Sequence, residues 1–247
     1  MPRKVLEFFL GMDIPCCDAY GLSETSPMVT CNYVGHIQPG TIGVPVIDTD
    51  VKISDEGEIL VKGPQVMVGY YKNEAATREA FTPDGYLRTG DMGEFDAEGN
   101  LRITGRIKDL IITSGGKNIS PQNIENSLKA SPYIEQVAVI GDNRKYLSAL
   151  VVPAFSELES WAKENGVNFS SRAELIKDPK VNELYAKEIE DNMKDYARVE
   201  QIRKFTLLDK EWSQETDELT PTLKLKRRII NQKYKDVIEK MYPASAD

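Results

Sequence analysis

A chain of 247 residues, 40% hydrophobic and 28% charged, holds core enough for one large or two modest domains, and its composition is that of an ordinary globular protein. Its formal net charge of −8 disfavours nucleic acid as the main partner, and no apolar run approaches the ~20 residues of a transmembrane helix, which leaves contact with a membrane surface open. Cys16, Cys17 and Cys31, an odd set with two neighbours, argue against a disulfide framework and for a reducing, cytoplasmic setting, while a lone histidine, His36, excludes multi-histidine zinc sites.

Residues 1–15 predict a short buried helix and a turn, with Val5, Leu6, Phe9 and Leu10 on one side. Glu7 inside this apolar stretch and Asp13 after it argue against a signal peptide. A small strand then leads through Tyr20 and Gly21 to Ser23, Glu24, Thr25 and Ser26, hydroxyls gathered round one carboxylate. Such a set suits a hydrated Mg²⁺ carrying phosphates, which takes oxygen ligands and keeps waters. It serves equally well as a capping sequence. From Gly35 to Thr104 short β runs broken by Gly and Pro predict a small barrel or sandwich, interrupted by a helix from Asn73 to Phe81.

The stretch from Asp84 to Pro121, DGYLRTGDMGEFDAEGNLRITGRIKDLIITSGGKNISP, is the densest in signals. Asp84-Gly85 is a turn, Thr89-Gly90-Asp91 sets a carboxylate beside a flexible glycine, and Asp96–Asn100 separates two arms of a hairpin, Met92–Phe95 and Leu101–Thr104. Arg106, Lys108 and Asp109 form a charged connector, read either as a hinge between two bodies or as a rigid turn. The strand Leu110–Thr113 ends in Ser114-Gly115-Gly116-Lys117-Asn118. Ser120 and Pro121 then open a helix as N-cap and first residue, with Ile119 and Ile124 at the two positions of a hydrophobic staple. TSGGKN is not a P-loop, because the earlier glycine is missing and Asn118 stands where Ser or Thr should hold Mg²⁺.

Beyond Pro121 the pattern is α+β. Strands at Gln136–Ile140 and Leu147–Val152 precede a helix through Leu158, Trp161 and Ala162, and a stripe from Val181 to Tyr196 marks another. Ile202–Leu208 predicts a strand, Trp212–Thr222 a polar loop, and Leu223–Met241 one long amphipathic helix buried through Leu225, Ile229, Tyr234, Val237 and Ile238. Lys224, Lys226, Arg227 and Arg228 would then crowd its first turn, where the macrodipole disfavours cations by a few tenths of a kcal/mol each. An anion waiting at that end would explain them, as would a solvated basic face or a nuclear-localisation-like run.

The order of these motifs closely resembles the AMP-forming acyl-CoA synthetases of the adenylate-forming superfamily, and residues 84–109 look like the signature of the fatty acyl-CoA synthetases. The resemblance implies the C-terminal portion of a long-chain fatty acid–CoA ligase. Residues 1–105 would be the end of the large AMP-binding domain and 106–247 a mobile α+β lid turning on Lys108. It implies Tyr20 on the adenine ring, Gly21 in the same motif, Ser23 and Thr25 near phosphate, Glu24 on Mg²⁺, Asp91 on the ribose and Arg106 on ribose or phosphate. Gly115 and Gly116 would admit the pantetheine arm of coenzyme A, and Lys224 would be the reactive lysine of a motif that usually reads Thr-x-Ser-Gly-Lys. Leu223 departs from that glycine, and Lys226 is the rival lysine. ATP, Mg²⁺, coenzyme A and a fatty acid are the implied ligands. The family's phosphate-clamping loop and most of the acyl pocket would belong to a missing N-terminal domain, so that this chain alone is expected to be inactive. An amino-acid adenylation domain and a non-catalytic binding or oligomerisation module are the alternatives.

Overall fold

The computed structural model describes residues 3–242. The start of the predicted first helix, at residues 1 and 2, lies outside them. The chain is of the α+β class, as its patterns predict, and it divides into two compact units, Met1–Asp109 and Leu110–Asp247.

The first unit opens with α1 (Arg3–Gly11). Leu6 is fully buried, Phe9 and Leu10 are half-buried, and Val5 and Phe8 are exposed, so the helix buries far less than the expected apolar face. Next come the short strands β1 (Ala19–Tyr20), β2 (Thr30–Cys31) and β3 (Val44–Pro45), an antiparallel sheet in that order. β4 (Asp50–Ile53) and β5 (Glu58–Lys62) follow, then α2 (Glu74–Ala80), β6 (Leu87–Phe95) and β7 (Leu101–Arg106). The four strands β4 to β7 form an open antiparallel meander rather than a closed barrel. Asn73 caps α2 by accepting the Ala76 N–H at 3.1 Å, a bond that replaces one of the helix's missing backbone acceptors. The turn between β6 and β7 is held by the Asp96 carboxylate, which accepts the N–H groups of Glu98 and Asn100 at 3.1 and 2.8 Å. His36 sits in a loop, as expected, against Asn100 Oδ1 at 2.9 Å, and the three cysteines are unbridged. The core gathers Tyr20, Val29, Ile59, Val61 and Leu101.

The second unit begins with a minimal hairpin, β8 (Ile111–Ile112) and β9 (Asn118–Ile119), and continues into α3 (Pro121–Leu128). Ile119 and Ile124 are both buried, as a staple requires. Ser120 holds the N-cap position, but its hydroxyl makes no capping bond and is buried without a partner. β10 (Ile134–Ile140) and β11 (Leu147–Pro153) pair antiparallel. α4 (Phe155–Glu164), α5 (Arg172–Leu175) and α6 (Pro179–Asn192) follow before β12 (Ile202–Leu207) joins β11 in parallel. Every residue of the central strand β11 is buried, which is why, apart from Ser148, it reads as an apolar run without alternation.

The predicted single helix over 223–241 is the main departure. Leu219 and Leu225 pair as an antiparallel bridge, and helix begins only at α7 (Arg227–Lys233), to be followed by α8 (Lys235–Met241). Tyr234 ends one and starts the other with φ −103° and ψ 19°. Lys224 and Lys226 therefore precede the helix, and of the four cations only Arg227 and Arg228 lie in its first turn. Arg227, which does lie in that turn, makes a bidentate pair with the buried Glu125 of α3 at 2.9 and 2.6 Å.

Candidate functional site

In the first unit the site is built on the ends of β1 and β7 and the middle of β6. Gly21 follows Tyr20, and the Pro27 carbonyl oxygen would lie 1.4 Å from a Cβ placed there. The glycine of this motif is therefore required by close backbone approach. The next residues tighten into a 3₁₀ turn, Ser23–Thr25. Thr25 is 0% exposed. Its hydroxyl accepts the Leu22 N–H at 2.9 Å and donates to the Leu22 carbonyl at 3.0 Å. The hydroxyl is engaged in holding the turn, away from the cleft wall. The turn is tied sideways as well, since the Glu24 carbonyl accepts the Met67 N–H at 2.8 Å and Glu24 Oε1 accepts the Tyr70 hydroxyl at 2.9 Å. That bond, more than partial burial, raises the Tyr70 pKa.

Asp91 lies opposite Arg106 in the β6–β7 register. It is 4% exposed, with Oδ2 accepting the Tyr20 hydroxyl at 2.7 Å and Oδ1 accepting Arg106 Nε–H at 2.8 Å. Burial drives the Tyr20 hydroxyl's pKa upward, with Asp91 adding to it and Thr89 and Arg106 opposing. A neutral phenol donating to the carboxylate is the state that this burial favours. One carboxylate so joins β1, β6 and β7, and with two oxygens it keeps lone pairs for a further donor.

Gly21, Ser23, Glu24, Arg106 and Lys108 all line one cleft of about 910 Å³. Tyr20, Thr25 and Asp91 do not line it. Tyr70, Glu79, Arg88, Thr89, Gly90 and Asp109 contribute to its wall, as does Glu58. Glu58 is the residue that the sequence reading passed over. It is buried, and it accepts Arg88 Nη1–H and the Gly90 N–H, each at 3.0 Å. It thereby holds the Thr89-Gly90-Asp91 bend, in which Gly90 has φ +71°. The signal was present: a carboxylate opening the otherwise apolar strand Glu58–Val61 has to find partners if that strand is buried.

Ser23 and Glu24 present oxygen donors to the cleft, and Glu24 Oε1 has one protein partner. Among the described residues no group of three or more His, Cys, Asp or Glu could hold a metal. A single carboxylate with neighbouring hydroxyls is a donor set that fits Mg²⁺ arriving with its waters and substrate phosphates, rather than one held in a protein cage.

In the second unit, Gly115 and Gly116 lie in the exposed turn of the β8–β9 hairpin. Gly116 has φ +76° and donates to the Thr113 carbonyl at 2.8 Å. A Cβ at Gly115 would meet nothing closer than 3.9 Å, so local geometry does not require that glycine. Ser114 N–H donates to the Arg144 carbonyl at 3.0 Å. Lys224 is exposed on the hairpin between Leu219 and Leu225, and among the described residues its ammonium has no ion-pair or hydrogen-bond partner. Lys226 is paired with Asp217. That pair holds the Asp217 carboxyl below the usual carboxylate range.

Residues 108–246 match the model of the AMP-binding enzyme C-terminal domain, and residues 1–71 match the AMP-binding enzyme model. The chain belongs to the AMP-binding enzyme family. It is 40% identical, over 95% of its length, to the long-chain-fatty-acid–CoA ligase FadD15 of Mycobacterium bovis, of which it spans 39%. It shares its fold with the adenylation domain of a carboxylate reductase from Mycobacterium chelonae, with a TM-score of 0.77, 22% identity, and coverage of 98% of this chain and 37% of that one. The O-succinylbenzoate coenzyme A synthetase of Bacillus subtilis, solved with AMP, aligns at a TM-score of 0.65 and 28% identity, over 92% of this chain and 43% of that one. The resemblance read from the motifs at 20–25, 84–109 and 220–224 is borne out as membership of the family. The chain spans about two fifths of the length of these relatives.

Proposed function

We propose that this chain is the C-terminal portion of an AMP-forming long-chain fatty acid–CoA ligase. In the first step a fatty acid carboxylate oxygen attacks the α-phosphorus of ATP, the bond to the β-phosphate breaks, and pyrophosphate leaves. In the second the coenzyme A thiol attacks the acyl carbon, the acyl–phosphate C–O bond breaks, AMP leaves, and the thiol proton goes to solvent. Both reactants of the first step are anions, so the main demand is neutralisation of charge developing round phosphorus.

The observation that carries this reading is the cleft shared by Gly21, Ser23 and Glu24 from one motif and Arg106 and Lys108 from another. Glu24, with Ser23, would hold Mg²⁺, which when bound offsets phosphate charge. Arg106 would hold the ribose or a phosphate by its guanidinium while its Nε–H stays on Asp91. Asp91, with both oxygens already engaged, would receive a ribose hydroxyl on remaining lone pairs and keep Tyr20 in place for the adenine. Lys224 is the better of the two lysines for the reacting carboxylate and α-phosphate, because Lys226 is already neutralised by Asp217. Gly115 and Gly116 would line the thiol's approach, with Lys108, in the 3₁₀ turn Ile107–Asp109, as the pivot between the two half-reactions.

Pyrophosphate exchange by the full-length protein, across fatty acids and amino acids, tests the reading. Exchange dependent on long fatty acids is expected, with Lys224→Ala lowering it about 10²-fold or more and Lys226→Ala causing a much smaller loss. Exchange with amino acids alone would replace the fatty acid assignment with an amino-acid adenylation domain.

A further inference from the structure

Residues 221–224 are all exposed and add nothing to either core of the second unit, yet their backbone is fully specified. The Thr220 N–H donates to the Lys224 carbonyl at 2.8 Å, and the Leu223 N–H donates to the Thr220 carbonyl at 2.9 Å. With Leu223 at φ +59°, this is the pattern of a three-residue hairpin loop whose last residue is left-handed. Pro221 suits its first position, since its ring fixes φ where such a turn needs it. Glycine is the residue that the third position favours, and Leu223 takes it while 67% exposed.

One side chain closes this loop from within. Thr220 Oγ1 accepts the Lys224 N–H at 3.0 Å and lies 3.1 Å from Thr222 Oγ1. The loop's base is pinned independently. The Lys226 N–H donates to the Glu218 carbonyl at 2.7 Å, the Lys226 ammonium pairs with Asp217, and Arg227 is clamped to Glu125. Thr220 thus holds both backbone groups of Lys224, the carbonyl by its N–H and the N–H by its hydroxyl, and the hydroxyl bond is the one that a side-chain substitution can remove.

We propose that Thr220 is a positioning residue for Lys224. Its hydroxyl fixes the lysine's backbone so that the ammonium is presented from a preformed mount. The inference rests on the reading of Lys224 as the reactive lysine. An ordered loop with no core contribution and a left-handed leucine is poorly explained by stability, and is what a lysine needed at one place would require. The effect belongs to the step that uses Lys224. Thiol attack on an acyl-adenylate already made does not call on it.

The test uses the full-length enzyme and two separate assays. One is pyrophosphate exchange with a sixteen-carbon saturated fatty acid. The other is single-turnover thioester formation from synthetic acyl-adenylate and coenzyme A. Thr220→Val keeps the shape and removes the hydroxyl, and is expected to lower the exchange kcat roughly tenfold. The KM for ATP and the thioester step should stay unchanged. Thr220→Ser, which restores the hydroxyl, should return exchange to within about twofold of the parent. Parent-like exchange by Thr220→Val, or an equal loss in both assays that serine does not repair, overturns the proposal. Lys224→Ala separates the two levels. If Lys224→Ala also leaves exchange intact, the reading of Lys224 itself falls. If it abolishes exchange while Thr220→Val does not, only the positioning role falls.

Discussion

Leu223 stands where the family's motif has glycine, and its φ of +59° says why glycine is usual there. A β-carbon in left-handed backbone costs about 1–2 kcal/mol, whereas glycine gives up roughly 0.5–1 kcal/mol of extra chain entropy on folding. Leu223→Gly should therefore stabilise the chain by about 0.5–1 kcal/mol, the difference between these two terms. It would be read as a higher denaturant midpoint at unchanged m-value; a lower midpoint would mean that the leucine side chain is holding the loop. Arg227 and Glu125 make the opposite case. Removing the guanidinium in Arg227→Met leaves a buried carboxylate without its counter-ion, a loss of about 3–5 kcal/mol. The departure at 223 was visible in the sequence, because a motif gives each position an expected residue. For Glu58 only the need for partners was visible, since the partners themselves, Arg88 and Gly90, come to it only through the β5–β6 pairing.

At the scale of elements, local signals carried furthest where neighbours in sequence are neighbours in space. The β6–β7 hairpin, the Asn73 cap and the Ile119–Ile124 staple are all of this kind. The last helix failed for the complementary reason. Leu225, Ile229, Tyr234 and Val237 keep a helical period, but Leu225 pairs with Leu219 across the tight loop at 221–223, a hairpin whose local bonds outweigh periodicity. The anchor of that hairpin should be sensitive to acid. Lys226 holds the folded-state pKa of Asp217 below its ordinary value. The stabilisation is therefore present above the unfolded pKa of about 3.9 and is lost as pH falls through the lower, folded value. Thermal midpoints of the parent and Asp217→Asn should accordingly differ near pH 7 and converge below about pH 4; a gap that persists in acid would show that the pair is not its source. In the first unit, Gly21→Ala would press a methyl against the Pro27 carbonyl. Overpacking of this sort costs about 1–3 kcal/mol, and its cost should appear as a lower denaturant midpoint, with the β1 turn displaced from the cleft.

Across the whole molecule the core is shared unequally. Among the described residues the first unit's cluster has five buried side chains, against nineteen and ten in the two clusters of the second unit. The first unit also leaves Phe8, Val34, Ile47, Val68 and Tyr71 more than half exposed. Burial contributes about 25 cal/mol per Å² of apolar surface, while ordering the backbone costs about 1–2 kcal/mol per residue in either unit. The thinner core must then yield the smaller net stability. Two compact units with separate cores need not melt together. Calorimetry of the 247-residue chain should show two transitions, and the segment 110–247 expressed by itself should keep the upper midpoint, because its sheet, its helices and the Glu125–Arg227 clamp all lie within it. A single transition for the chain, together with a much lower midpoint for the isolated segment, would mean that the second unit draws its stability from the first.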